Sequence, residues 1–223
     1  MSLHFDSDVA RLHGANQAVW RRGRGAICVM VLLALVACQS GPAREIPAPD
    51  QKVVPGEPAD LTAQYERALT LLGAGDVDLA VKELEVLGSS YPEYSGPMLN
   101  LGIAYSKAGK LPEAEQAFKM AISRKPDSAT AYNQLGILYR KLGRFIDAEK
   151  SYQRALEIQP DYALAHLNLG VLYDLYLQQP GKALQELEHY VDLTGESDTV
   201  VNLWIKEIKS RLGGAVRTTR SGA

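Results

Sequence analysis

Apolar residues along the middle of the chain recur three and four apart. Met98, Leu101, Gly102 and Tyr105 stand at i, i+3, i+4 and i+7, the spacing that gathers residues on one face of a helix. The same offsets pick out Tyr132, Leu135, Gly136 and Tyr139, and then His166, Leu169, Gly170 and Tyr173. Each run is followed by a second helical pattern, Ala114, Phe118 and Ala121 in one case and Ala148, Tyr152 and Ala155 in the next. Pro92, Pro126 and Pro160 punctuate these segments at a spacing of 34 residues. Each proline disfavours helix at the residue before it, so each closes a second helix. The pattern predicts an all-α chain of helix pairs with a period of 34.

Four units follow from this frame, at 61–94, 95–128, 129–162 and 163–196. The flanking units are degenerate, as end units of a stack usually are. The first has Arg67-Ala68 where the inner units have Leu-Gly, and the fourth has Ala183 one place late with Pro180-Gly181 at its turn, implying one inserted residue. Asp60 is the expected N-cap of the first helix. Ser197 or Asp198 is expected to cap a last helix over residues 197–212, with Trp204, Ile205 and Ile208 covering the open end. Residues 213–223 are expected to form a disordered tail.

The 34-residue signature, a bulky residue at position four, Leu-Gly at seven and eight, Tyr at eleven, Ala at twenty, an aromatic at twenty-four, Ala at twenty-seven and Pro at thirty-two, resembles the tetratricopeptide repeat. The resemblance is carried by two adjacent units over 95–162. It implies an α-solenoid of antiparallel helix pairs in a right-handed superhelix, used as a protein-binding scaffold. Small residues at positions eight and twenty let the paired helices approach. The aromatic at twenty-four is expected to fill the groove between neighbouring pairs. One pair cannot bury its apolar face alone, so pairs must stack.

Helical geometry also nominates a binding surface. Positions two, six, nine and thirteen of each first helix lie roughly opposite the core face, and on that basis Asn100, Ile103 and Lys107, then Gln134, Ile137, Arg140 and Lys141, then Asn168, Val171 and Leu175 are expected to line an inner groove. A side-chain amide both donates and accepts, so a row of amides can pair with the backbone of an extended peptide whatever its sequence. Lys107, Arg140 and Lys141 would add a preference for an acidic segment or a C-terminal carboxylate. The arrangement is similar to the asparagine ladders and carboxylate clamps of peptide-binding tetratricopeptide proteins, although the full clamp pattern is absent.

The first forty residues carry a different signal. Arg21, Arg22 and Arg24 precede an uncharged run at 26–37 that ends at Cys38. Twelve residues fall short of the roughly twenty a membrane-spanning helix needs, and basic region, short apolar run and small residues together describe an export signal. Leu35-Val36-Ala37-Cys38 resembles the lipobox of bacterial lipoproteins, which implies lipidation of Cys38, cleavage before it and a signal peptide at 1–37. Several acyl chains hold a protein stably where one does not. In the resembling lipoproteins Asp after the Cys favours the inner membrane; Gln39 stands here, which implies an outer-membrane anchor facing the periplasm. Residues 1–19 are long for the leading region, and a start further along is expected. Residues 38–60 hold five of the chain's 11 prolines and are expected to form an extended tether.

Charge and chemistry narrow the function. A net charge of -2 provides no excess of Lys and Arg to neutralise phosphates, which argues against nucleic acid as a partner. Removing residues 1–37 would leave a mildly acidic chain without Cys28, and hence without a cysteine pair. His166 and His189 have no Cys or second His at metal-ligand spacing, and His166 occupies the packing position four. No phosphate-binding loop or nucleophile motif is present. The sequence therefore predicts no enzyme, metal or cofactor, but a membrane-anchored adaptor for an envelope protein or extended peptide. Concrete versions left open are a pilotin-like pilus assembly factor, an adaptor for peptidoglycan hydrolases and an accessory of a TonB-type import system. A homo-oligomerisation module built on the Trp204 helix is the remaining alternative.

Overall fold

The computed structural model describes residues 59–195 and 198–220, with side chains described as far as residue 213. The expected signal peptide, Cys38 and most of the tether lie outside the described residues. Nine helices follow one another there: α1 (Ala59–Ala74), α2 (Val77–Ser90), α3 (Ser95–Lys107), α4 (Leu111–Arg124), α5 (Ala129–Lys141), α6 (Phe145–Ile158), α7 (Ala163–Leu175), α8 (Pro180–Thr194) and α9 (Thr199–Arg220). The first eight form four antiparallel pairs, and α9 packs against α8. Asp60 lies inside the first turn of α1, not before it, where its charge favours the helix N-terminus.

The main core cluster runs from Leu61 through Phe118 and Tyr152 to Ile208, and Ala129, Ala155 and Ala165 form a second, small one. Ala80, Ala114, Ala148 and Ala183 are each 0% exposed, so each pair closes on a methyl group. The glycine at position eight has a specific cause. A Cβ on Gly102 would meet the Phe118 ring at 2.5 Å, one on Gly136 the Tyr152 ring at 2.6 Å, and one on Gly170 the Leu187 side chain at 2.8 Å. The large residue at position twenty-four therefore sits on the glycine of its own pair.

The turns inside the pairs follow one rule with one exception. Gly75, Gly109 and Gly143 each occupy position fifteen with φ of 91°, 77° and 74°, a conformation that costs glycine nothing sterically. In the fourth pair four residues separate α7 from α8, and Gln178 takes the positive φ, at 53°.

Successive first helices touch: α1 meets α3, α3 meets α5 and α5 meets α7, whereas no two of the second helices α2, α4, α6 and α8 do. The first helices thus line the inner side of the stack. α9 stands where the first helix of a fifth pair would be and buries Val201, Ile205 and Ile208, yet its backbone does not approach α7. Asp198 caps it, its Oδ1 accepting from the Val200 and Val201 amides at 3.2 Å each. The helix continues to Arg220, so residues 213–220 are helical, not the expected tail. Gly213 and Gly214 weaken a helix by about 1 kcal/mol each without ending it.

Candidate interaction surface

The residues expected to line the inner groove divide into three groups. Asn100 (4% exposed), Ile103 (8%) and Val171 (2%) are buried, which removes them from an open surface. The cause is the contact between successive first helices, which covers the face that an isolated helix would offer to a ligand. Gln134, Ile137, Arg140, Asn168 and Leu175 are half-buried, and Lys107 and Lys141 are exposed.

Two of the three amides are spent within the chain. Asn100 Nδ2 donates to the Tyr65 hydroxyl on α1 and, at 3.2 Å, to the Gly96 carbonyl. Asn168 Nδ2 donates to Asn133 Oδ1 across the α5–α7 contact at 3.0 Å. Asn133, 1% exposed, also engages Tyr162, whose hydroxyl burial pushes up against the hydrogen bonds from Thr130 and Asn133. These amides tie first helices together, because a buried amide left unpaired costs more than the bond returns. A peptide ladder through Asn100 and Asn168 is therefore replaced by an inter-repeat tie.

Of the cations, Lys107 and Lys141 remain exposed, and Arg140 packs against Tyr152 and Tyr176. α3 carries Lys107 and no acidic residue, α5 carries Arg140 and Lys141 and no acidic residue, and α7 carries Asp174 alone. Lys141 Nζ donates to the Ser106 carbonyl at 3.0 Å, at the C-terminal turn of α3. Arg140 lies 5.7 Å from the centre of the Tyr176 ring. Asp174 does not oppose them, because α9 neutralises it: Arg211 Nη2 donates to its two carboxylate oxygens at 2.6 and 2.8 Å, and Trp204 Nε1 to Oδ2 at 2.7 Å.

The opposite edge of the first helices carries a second repeated device that sequence reasoning missed. The tyrosine at position eleven reaches back to a glutamate on the preceding second helix: Tyr105 to Glu85, Tyr139 to Glu115 at 3.1 Å and Tyr173 to Glu149 at 2.8 Å. A cation from the following turn or helix joins each: Lys110 lies 5.8 Å from the Tyr105 ring centre, Arg144 4.2 Å from that of Tyr139 and Lys182 5.0 Å from that of Tyr173. Burial raises Glu115, but hydrogen bonds from Lys119, Tyr139 and Arg144 outweigh it and hold the carboxyl below its ordinary range. Burial and the bond to glutamate push Tyr105 and Tyr173 up to about 12. The signal was present in the sequence as the 34-residue recurrence of Tyr, and the acidic partners fall at two different positions, which hid the pairing.

Family comparison agrees with this architecture. The tetratricopeptide-repeat pattern matches residues 58–136 and, separately, residues 129–162. The chain is a tetratricopeptide-repeat protein. A thermophilic tetratricopeptide-repeat protein of Thermus thermophilus is similar to it at 26% identity and a TM-score of 0.60, over 68% of this chain and 82% of that one. Pseudomonas aeruginosa pilF shares the fold at 17% identity and a TM-score of 0.63, over 72% of each chain. The first tetratricopeptide domain of Spaghetti (RPAP3), solved with the HSP90 peptide SRMEEVD, shares it at 20% identity and a TM-score of 0.50, over 53% of this chain and 93% of that one. No curated protein matches the sequence.

Tetratricopeptide repeats are protein-interaction scaffolds, typically without catalytic activity of their own. Among the described residues no group of three or more His, Cys, Asp or Glu could hold a metal ion, and no helix is long and apolar enough to cross a membrane.

Proposed function

We propose that this tetratricopeptide-repeat protein is a lipid-anchored adaptor of the bacterial envelope that holds an anionic, extended segment of another envelope protein on its inner side. One observation carries the ligand class. Two of three consecutive first helices, α3 and α5, carry the exposed Lys107 and Lys141 with Arg140 packed beside Lys141, while the one carboxylate on the three, Asp174 of α7, is already bonded by α9. Cations without neighbouring carboxylates favour an anionic partner and speed its encounter. The anchor is supported by sequence, through Leu35-Val36-Ala37-Cys38 and the basic, apolar segment before it. A tether of about twenty residues at about 3.1 Å each then lets the repeats reach about 60 Å from the membrane.

Two measurements test the halves separately. Cells supplied with an alkyne fatty acid should label the wild-type chain and not Cys38→Ser, which should also leave the membrane fraction; equal labelling would remove the anchor. A photo-crosslinker at Lys107 or Gln134 should capture a protein whose crosslinked peptide is rich in Asp and Glu. The Lys107→Glu, Lys141→Glu double variant should lose that capture at least tenfold while keeping its helical content. Capture that is indifferent to this charge reversal would remove the anionic-ligand reading.

A further inference from the structure

We propose that His166 is a proton-dependent tie that locks the third pair-to-pair joint of the stack while its ring is protonated and loosens that joint when the proton is lost. The ring stands at packing position four of α7 and is 9% exposed. Nδ1 lies 2.7 Å from Glu186 Oε2 on α8, and Nε2 lies 2.9 Å from the carbonyl oxygen of Pro160 in the turn between α6 and α7. Three elements therefore meet on one imidazole.

Both partners are acceptors. A peptide carbonyl has no hydrogen to give, and an ionised carboxylate has none either. A neutral imidazole carries one N–H, so it can satisfy only one of the two and sets a lone pair against the other. The cation donates on both sides. When the proton is lost, the remaining N–H stays with the charged acceptor, because a charge-assisted bond is the stronger one. Pro160 is then released, and with it the turn that orients α7 on α6.

The surrounding charges agree in sign with one exception. From α8, Glu186 favours the cation, and His189, whose ring centre is 5.2 Å away, opposes it when itself protonated. From α6, Glu157 lines the same cleft as Glu186, together with Tyr173 of α7, which is held up to about 12 and stays neutral throughout. Asp161 follows Pro160 in the turn. The joint matters for the inner side, since α5, which carries Gln134 and Ile137, touches α7, which carries Asn168 and Leu175. The tie does not depend on what that side binds.

Hydrogen exchange in the full-length protein reads the joint directly. The Tyr162, Ala165 and His166 amides close the turn through bonds of 3.1, 2.9 and 3.3 Å to Gln159 and Tyr162 carbonyls. Loss of one hydrogen bond should lower their protection about fivefold between pH 5.5 and pH 8 after correction for intrinsic exchange. His166→Phe should show equal protection at both, and His189→Asn should keep the difference. Wild-type protection that does not change with pH, or a difference that survives in His166→Phe, would overturn the proposal. Proton and nitrogen NMR of the unsubstituted chain covers the case in which His166→Phe does not fold. Two slowly exchanging ring N–H protons on His166 at pH 5.5, one of them gone at pH 8, support the tie; one or none at pH 5.5 sinks it.

Discussion

Where α5–α6 meets α3–α4, the first helices touch along their inner edges and Tyr139 reaches back to Glu115, while inside each pair a glycine receives an aromatic ring. Where α9 meets α7–α8, the backbones of α7 and α9 stay apart, no glycine or tyrosine of the signature is present, and Trp204 and Arg211 converge on Asp174 instead. The inner joint spreads its stability over many small contacts that recur every 34 residues. The terminal joint concentrates its inner-side contact in one buried carboxylate. The repeat signature thus encodes a way of stacking, and a helix outside it needs an individual polar tie to be held at a defined angle.

The inner repeats are most vulnerable at the glycine that closes each pair. Gly136→Val should destabilise the protein by about 3 kcal/mol in urea unfolding, since a Cβ there already meets the Tyr152 ring. Gly73→Ala, with nothing within 4 Å of the added methyl, should be neutral or stabilising. Equal effects of the two would deny that close approach is what position eight is for. At the terminal joint, Asp174→Ala should cost about 2 kcal/mol and shift Trp204 fluorescence, and the shift should precede global unfolding. Unaltered Trp204 emission would show that α9 is held by Val201, Ile205 and Ile208 alone.

A finer comparison uses pH. Glu115 is held below its ordinary value of 4.5 in the folded state, so its contribution is present at neutral pH and is lost as the pH falls through the lowered folded value. Glu115→Gln should therefore be less stable than wild type by about 1 kcal/mol at pH 7, with the two melting curves converging in acid. Curves that stay parallel to the lowest pH would show that the Tyr139, Lys119 and Arg144 contacts add nothing. The smallest expected effect lies in the irregular turn: Gln178→Gly should stabilise by about 0.5 kcal/mol, because a positive φ suits glycine.

Much of this was legible in the residues themselves. The 34-residue spacing of Pro92, Pro126 and Pro160 and the i, i+3, i+4, i+7 faces define the helix pairs, because local packing and chain punctuation act over one unit. The inner surface was less legible. Asn100, Ile103 and Val171 look like an open row on a single helical wheel and are buried, since a wheel has no neighbour on it. Asn133 and Asp174 went unnoticed for the same reason: their partners, Asn168 and Arg211, stand 35 and 37 residues away.

The order of residues along the chain was enough to establish that helix pairs stack and which residue closes each pair. These follow from short-range periodicity, sterics of Gly and Pro, and composition. Which polar groups remain available was settled by packing in three dimensions. Contacts between first helices bury Asn100 and pair Asn168 with Asn133, α9 neutralises Asp174, and Lys107 and Lys141 are left exposed on α3 and α5. Such outcomes depend on distances between residues a full repeat apart, and no pattern read along one helix contains them.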